Sequence, residues 1–353
     1  MKAFLKIIAA RQSLTQAQAE EAMHAMMRGD ASPEETAGLL MGLRARGETL
    51  DELTGFTRVM RAYAVPVAVD DPDALDIVGT GGDGSGTFNI STAAAFVCAG
   101  AGVTVAKHGN RSVSSKCGSA DVLAELGVRA ELGKEGVEYC LREAGLAFLF
   151  APYFHPALRH VMPVRRALGV RTFFNILGPL CNPAGVRRYL VGAFHEDVAR
   201  MMAGILGRLG AKRALTVHAE DGLDELSIAA PTTLFEHRAP ETEHRAPETG
   251  EAAGITRRRV TPEAHGLRRA PLATLAGGDA RENAALIRDV LAGRPGPRRD
   301  VVLLNAAYGL LASGRFEDLD ACFEAARASI DTGAAQARLD ALIDVSNQAP
   351  HPT

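Results

Sequence analysis

A chain of 353 residues with 39 Lys and Arg against 42 Asp and Glu, net charge −3, lacks the basic excess expected of a nucleic-acid-binding surface. Its length and 47% apolar content predict a large core and about two domains, while no apolar run is long enough to span a bilayer. Five cysteines, Cys98, Cys117, Cys140, Cys181 and Cys322, form no CxxC pair, and Lys6 interrupts the apolar N-terminal stretch; both features argue for a cytoplasmic protein without metal-thiolate chemistry.

Residues 1–66 read as a helical unit. Thr15 with Gln18, Ser32 with Glu35 and Thr49 with Glu52 each spell a capping box, Pro33 suits the first position of its helix, and Gly29, Gly47 and Pro66 are stops. Leu39, Leu40, Leu43 and Phe56 fit either internal packing or a second subunit. From Leu75 onward strands and helices alternate, as in an α/β sheet. Residues 75–78 read as a buried strand and 91–99 as a helix, and a further strand at 103–106 runs up to Lys107.

The polar loops therefore sit at strand carboxyl ends, where open parallel sheets bind ligands. Residues 79–84 formally spell GxGxxG, yet no Asp or Glu lies between Asp83 and Asp121 to hold a dinucleotide ribose, and there is no Walker loop. In KHGNRSVSSKCGSADVLAELG at 107–127, Lys107, Arg111 and Lys116 supply positive charge. Gly109, Ser112, Ser114, Ser115, Gly118 and Ser119 offer N–H groups and hydroxyls to a phosphorylated anion, ahead of a helix seated by Val122, Leu123 and Leu126. After an apolar strand at 214–217 comes DGLDELS, whose Asp224 and Glu225 are hard oxygen ligands suited to Mg²⁺ bridging to substrate phosphates. The heptad EHRAPET occurs at 236–242 and again at 243–249, and its charges and prolines predict a solvated insertion.

Ordered along the chain, GTGGD at 79–83, NIST at 89–92, KHGNRSVSSKCGSAD at 107–121, HPALRHVMPVRRALGVRTFFNILGPLCNP at 155–183 and DGLDE at 221–225 resemble the anthranilate phosphoribosyltransferases, as do GGDARENA at 277–284 and RDVVLLNAA at 299–307. The resemblance implies an α/β fold: a small N-terminal α-helical domain, 1–66, joined by a mid-chain helical segment near 155–185, plus a large α/β domain, 72–345, with a central, mostly parallel sheet. It implies transfer of phosphoribose from 5-phosphoribosyl 1-pyrophosphate to the amine of anthranilate, Mg²⁺ as cofactor, and a homodimer formed through the helical domain.

The same resemblance assigns Lys107, Asp224 and Glu225 to catalysis, and Ser91, Asp224 and Glu225 to the metal. Around the phosphoribosyl donor it implies Gly79, Gly82, Asp83, Thr87, Asn89, Ile90, Ser91, Thr92, Lys107, His108, Gly109, Asn110, Arg111, Ser112, Val113, Ser114, Ser115 and Ser119, with Asp83 alternatively capping its own loop. For anthranilate it implies Gly79, Asn110 and Arg165, whose guanidinium suits a carboxylate through two parallel hydrogen bonds, while His108, His155 and Pro179 wall the ring. Two other readings compete. A pyrimidine nucleoside phosphorylase would use orthophosphate and would not require the acidic pair; a non-catalytic nucleic-acid-binding relative would show a basic face and lack those carboxylates.

Overall fold

The computed structural model describes residues 1–111, 116–240, 254–316 and 318–350. Helices α1 (Lys2–Ala9), α2 (Gln16–Arg28), α3 (Pro33–Arg46) and α4 (Leu50–Ala62) build the N-terminal lobe. The capping boxes at Thr15, Ser32 and Thr49 are all present, each hydroxyl accepting the N–H three residues on while that residue's side chain accepts the cap N–H. Leu39, Leu40, Leu43 and Phe56 are fully buried inside the one chain, which settles their packing as internal. Glu52, also fully buried, does more than cap: its Oε1 accepts the Leu14 N–H at 2.8 Å, and its Oε2 pairs with Arg46.

The second lobe alternates β1 (Leu75–Gly79), α5 (Ile90–Gly100), β2 (Val105–Gly109), α6 (Ser119–Leu126), α7 (Lys134–Ala144) and β3 (Leu146–Phe150). The chain then leaves the sheet through α8 (Ala151–Phe154), a 3₁₀ turn at Pro156–His160, α9 (Met162–Leu168) and α10 (Phe174–Leu177). That excursion packs on the helical lobe, the 3₁₀ turn on α2 and α9 on α3, with Phe56 stacked on Phe173 at 4.3 Å between ring centroids. It returns as β4 (Arg188–Gly192), α11 (Glu196–Arg208), β5 (Arg213–Ala219), β6 (Thr232–Arg238) and β7 (Ile255–Val260). Helices α12 (Ala280–Leu291), α13 (Pro297–Ser313), α14 (Leu319–Asp331) and α15 (Ala334–Gln348) complete it.

The seven strands form one sheet in the order β3-β2-β1-β4-β5-β6-β7. The pairings from β3 to β5 are parallel, and β6 and β7 are added antiparallel, so the sheet is mostly parallel as expected. The strand order runs outward from the β1–β4 pair in both directions, through β2 and β3 on one side and β5 on the other, which makes the cleft above those two strands the switch point of the sheet.

Two expectations are corrected. Strand β2 extends to Gly109, paired with Phe150, so Lys107 and His108 lie inside a strand and do not open the loop; parallel pairing to β3 carries the ladder past the apolar run. The first EHRAPET copy does not begin as a solvated insertion: Glu236, His237 and Arg238 belong to β6, and Glu236 is buried against Arg213 at 2.6 Å and Arg258 at 3.2 Å. Two arginines compensate the carboxylate that marked this stretch as surface. The remainder of the repeat, from Glu241 onward, lies outside the described residues.

Candidate active site at the carboxyl edge of the sheet

The acidic turn after β5 folds back under the ends of β1 and β4. Only glycines admit it, because a Cβ on Gly79 would stand 2.6 Å from Asp224 Oδ2, and one on Gly192 would stand 1.4 Å from the Asp224 carbonyl oxygen. Asp224 Oδ2 accepts the Gly81 N–H at 2.7 Å and the Thr80 hydroxyl at 3.3 Å. Asp83 ties the same loop down, Oδ1 accepting the Ser85 N–H at 3.3 Å and Oδ2 the Asp224 N–H at 3.4 Å, so the loop-capping alternative describes its contacts.

Glu225 Oε1 accepts the Ser91 N–H, in the first turn of α5, at 2.9 Å. A carboxylate there faces the positive end of the helix dipole. Its Oε2 is buried with no hydrogen-bond partner among the described residues. The Lys107 ammonium, itself buried, donates to the Ile77 carbonyl and, at 3.2 Å, to Ser91 Oγ. Ser91 therefore joins the cation to the acidic turn.

Burial dominates the electrostatics. It lifts Asp224 to about 6, with the charge of Asp83 adding to the rise, and holds Glu225 well above the usual carboxylate range, with Asp224 adding. Burial pulls the Lys107 ammonium down, opposed by Asp76, Glu225 and Asp224. Two carboxyl groups sharing one dry site are thus short of positive charge, a deficit that a divalent cation fits, as does the unpartnered Glu225 Oε2.

The other residues expected around the donor are placed unevenly. Thr87 bridges to Ala276, Ile90 and Thr92 are buried in α5, and Thr92 Oγ1 has no partner among the described residues. Asn89 stands at the N-cap of α5, Ser119 opens α6, and the Gly82 carbonyl accepts a bond from Arg171. Gly109 ends β2. The Arg111 guanidinium pairs on the surface with Asp121 at 3.2 Å and with Glu131, and lies over the Phe150 ring. Asn110 is exposed, its Oδ1 accepting the Arg111 N–H at 2.7 Å. Ser112, Val113, Ser114 and Ser115 lie outside the described residues.

Of the residues expected around the acceptor, the rings of His108 and His155 are 5.2 Å apart, beside the turn Gly178–Leu180 that carries Pro179. Each hydrogen bonds backbone, of Gly178 and Cys181 respectively, and burial pushes their pKa down to about 3 and about 4. Both Nε2 atoms are buried without a partner among the described residues. Arg165 is half-buried, with Met162 Sδ at 3.5 Å and its guanidinium 5.0 Å from the Phe174 ring centre, and has no ion pair among the described residues.

Sequence reasoning missed several supports. Asp76, fully buried in β1 and lifted to about 6 by desolvation, accepts the His108 N–H at 3.1 Å and the Asn182 amide at 2.8 Å. Arg171 stacks over Phe194 at 4.7 Å while holding Gly82. Asn182 and Arg171 stand inside the quoted 155–183 motif, which was the available signal.

Comparison with known proteins places this architecture. Residues 71–336 match the model of the glycosyl transferase family a/b domain, and residues 2–64 that of its helical bundle domain. The chain is 60% identical over 350 residues to the anthranilate phosphoribosyltransferase of Salinibacter ruber, covering 99% of each, and 50% identical over 343 residues to that of Moorella thermoacetica, covering 97% of each. The crystal structure of the Thermus thermophilus enzyme superposes with a TM-score of 0.87 at 44% identity, over 97% of this chain and 99% of that one. The Saccharomyces cerevisiae enzyme in complex with PRPP and Mg gives 0.85 at 25% identity, over 98% and 97%. With nearly its whole length matched at this identity, and both lobes in place, the chain belongs to the anthranilate phosphoribosyltransferase family.

Proposed function

We infer that this site transfers the phosphoribosyl group from 5-phosphoribosyl 1-pyrophosphate to the amine of anthranilate, giving N-(5-phosphoribosyl)anthranilate and pyrophosphate in tryptophan biosynthesis. The observation that carries the reading is the meeting of Lys107, Asp224 and Glu225 around Ser91 and the first turn of α5. A phosphorylase using orthophosphate has no need of that acidic pair.

The chemistry sets the roles. As the ribose C1–oxygen bond breaks, negative charge collects on pyrophosphate and the amine nitrogen closes on C1; stabilising the leaving group and aligning the amine are the main tasks. Ser91, Asp224 and Glu225 would hold Mg²⁺, which supplies positive charge toward the departing pyrophosphate. Lys107 adds a buried ammonium to the same field, and the glycine loop from Gly79 to Asp83 offers its backbone to the donor. Arg165 takes the anthranilate carboxylate as a planar fork, which fixes the ortho amine. His108 and His155, neutral because buried, line the ring with Pro179 and leave the attack free of a general base, since an aromatic amine attacks uncharged and sheds its proton afterwards. A homodimer through the helical lobe is the corresponding assembly.

Saturation curves for both substrates test the assignment. Arg165→Ala loses a charge-assisted partner worth about 1.5–3 kcal/mol, so the anthranilate KM rises at least about tenfold while the donor KM stays within about twofold. An Arg165→Ala enzyme impaired for the donor and unimpaired for anthranilate contradicts the acceptor pocket.

A further inference from the structure

The GGDARENA segment matched the family yet received no role. It begins beside the donor loop: the Gly277 N–H donates to the Gly86 carbonyl at 2.9 Å, the Phe88 N–H to the Leu275 carbonyl at 3.1 Å, and Thr87 bridges to Ala276. The approach is so close that a Cβ on Gly277 would stand 2.6 Å from Asn283 Oδ1 and 2.8 Å from the Phe88 backbone. One helical turn into α12, Asn283 is 2% exposed.

The hydrogen bonds of Asn283 have a fixed sense. Its Oδ1 accepts the Gly278 N–H at 2.8 Å, so the other end of the amide must be the donor, and Nδ2 donates to Asn89 Oδ1 at 3.0 Å. With its oxygen shared between that donor and the Cys117 thiol, at 3.6 Å, Asn89 turns its own Nδ2 to the Cys117 carbonyl at 3.3 Å. Asn89 occupies the N-cap of α5, where an asparagine side chain ordinarily accepts an N–H of its own first turn; here it makes no such bond. The N–H of Ser91 is left to Glu225 instead.

We propose that Asn283 is a positioning residue: with the Ile90 N–H given to the Phe88 carbonyl and the Ser91 N–H to Glu225, it draws the Asn89 amide away from self-capping at the Thr92 N–H and so leaves that donor to the anionic substrate. The proposal rests on the reading of Asn89 and α5 as donor contacts. Without the N–H from Asn283 only the weak thiol donor of Cys117 holds the Asn89 oxygen, so the short side chain falls back on its local alternative, accepting the Thr92 N–H of its own helix, and competes there with the donor phosphates.

The test is calorimetric titration of the full-length protein with 5-phosphoribosyl 1-pyrophosphate and Mg²⁺, alongside anthranilate KM and melting temperature, for Asn283→Asp, Asn283→Ala, Asn89→Ala and the doubles. Asn283→Asp keeps the acceptor for Gly278 while it removes the donated bond and adds a charge, and Asn283→Ala removes the bond without the charge, so the pair separates the two effects. Each Asn283 variant is expected to weaken donor binding about tenfold, the scale of one charge-assisted hydrogen bond, with anthranilate KM within about twofold. In the Asn89→Ala background the further loss is under about twofold, because the group being positioned is gone. The same loss in both backgrounds, as simple repulsion by the new Asp charge would give, overturns the proposal, as does a parallel rise of both substrate constants. If Asn89→Ala itself leaves donor binding unchanged, the donor reading of this loop fails and the proposal with it; if only the Asn283 variants bind normally, the proposal alone fails.

Discussion

His108 and His155 stand 5.2 Å apart with their rings held to backbone, and burial lowers both pKa values, to about 3 and about 4. The unfolded chain titrates its histidines near 6.5, so the neutral folded rings contribute stability that is whole above that pH and is lost as pH falls toward 4, about 1.4 kcal/mol per unit per ring. Asp76 and Asp224, lifted to about 6, act in the opposite sense over the same range, so the wild type alone does not isolate the rings. His155→Gln does: between pH 7 and pH 5 the wild type is expected to lose about 2 kcal/mol more unfolding free energy than the variant. Equal losses in urea unfolding at the two pH values contradict a neutral buried His155. At this scale the sequence made Ser91, Lys107, Asp224 and Glu225 legible, because each stands in a short motif with obvious chemistry. Asp76, Arg171 and Asn283 were not, because what they do depends on partners 106, 89 and 194 residues away.

Among elements, helix starts were readable because a capping box is complete within four residues; all three at Thr15, Ser32 and Thr49 formed. The last of them also anchors the lobe, since Glu52 receives Leu14 N–H, Thr49 N–H at 2.9 Å and the Arg46 ion pair. Glu52→Ala strands a nearly buried guanidinium and a buried N–H, and is expected to cost about 3–5 kcal/mol; Glu52→Gln, which keeps the acceptor, costs less. A loss under about 1 kcal/mol for the alanine variant in denaturant unfolding contradicts this account of the lobe. The outer strands were hidden for the opposite reason. β6 ends in Glu236-His237-Arg238 and β7 carries Arg257, Arg258 and Arg259, a pattern that reads as surface until the pairs Glu236–Arg213, Glu236–Arg258 and Glu196–Arg257 cross between elements. No local periodicity encodes those contacts.

For the whole molecule, the alternation of strands and helices forecast a mostly parallel sheet, but the order that places β4 beside β1 could not be read from it. That order sets the glycine loop after β1, the α5 terminus and the acidic turn after β5 around one cleft, while the mid-chain excursion that carries Arg165 on α9 packs on the helical lobe. In the proposed function, donor chemistry on the sheet and acceptor recognition on the excursion are separate parts of one site. Following anthranilate fluorescence after mixing purified protein with anthranilate, 5-phosphoribosyl 1-pyrophosphate and Mg²⁺ tests that claim most directly. The account predicts fluorescence lost in step with release of one pyrophosphate per anthranilate, and no loss when the donor is omitted; unchanged fluorescence, with cleavage of a pyrimidine nucleoside by orthophosphate under the same conditions, contradicts it.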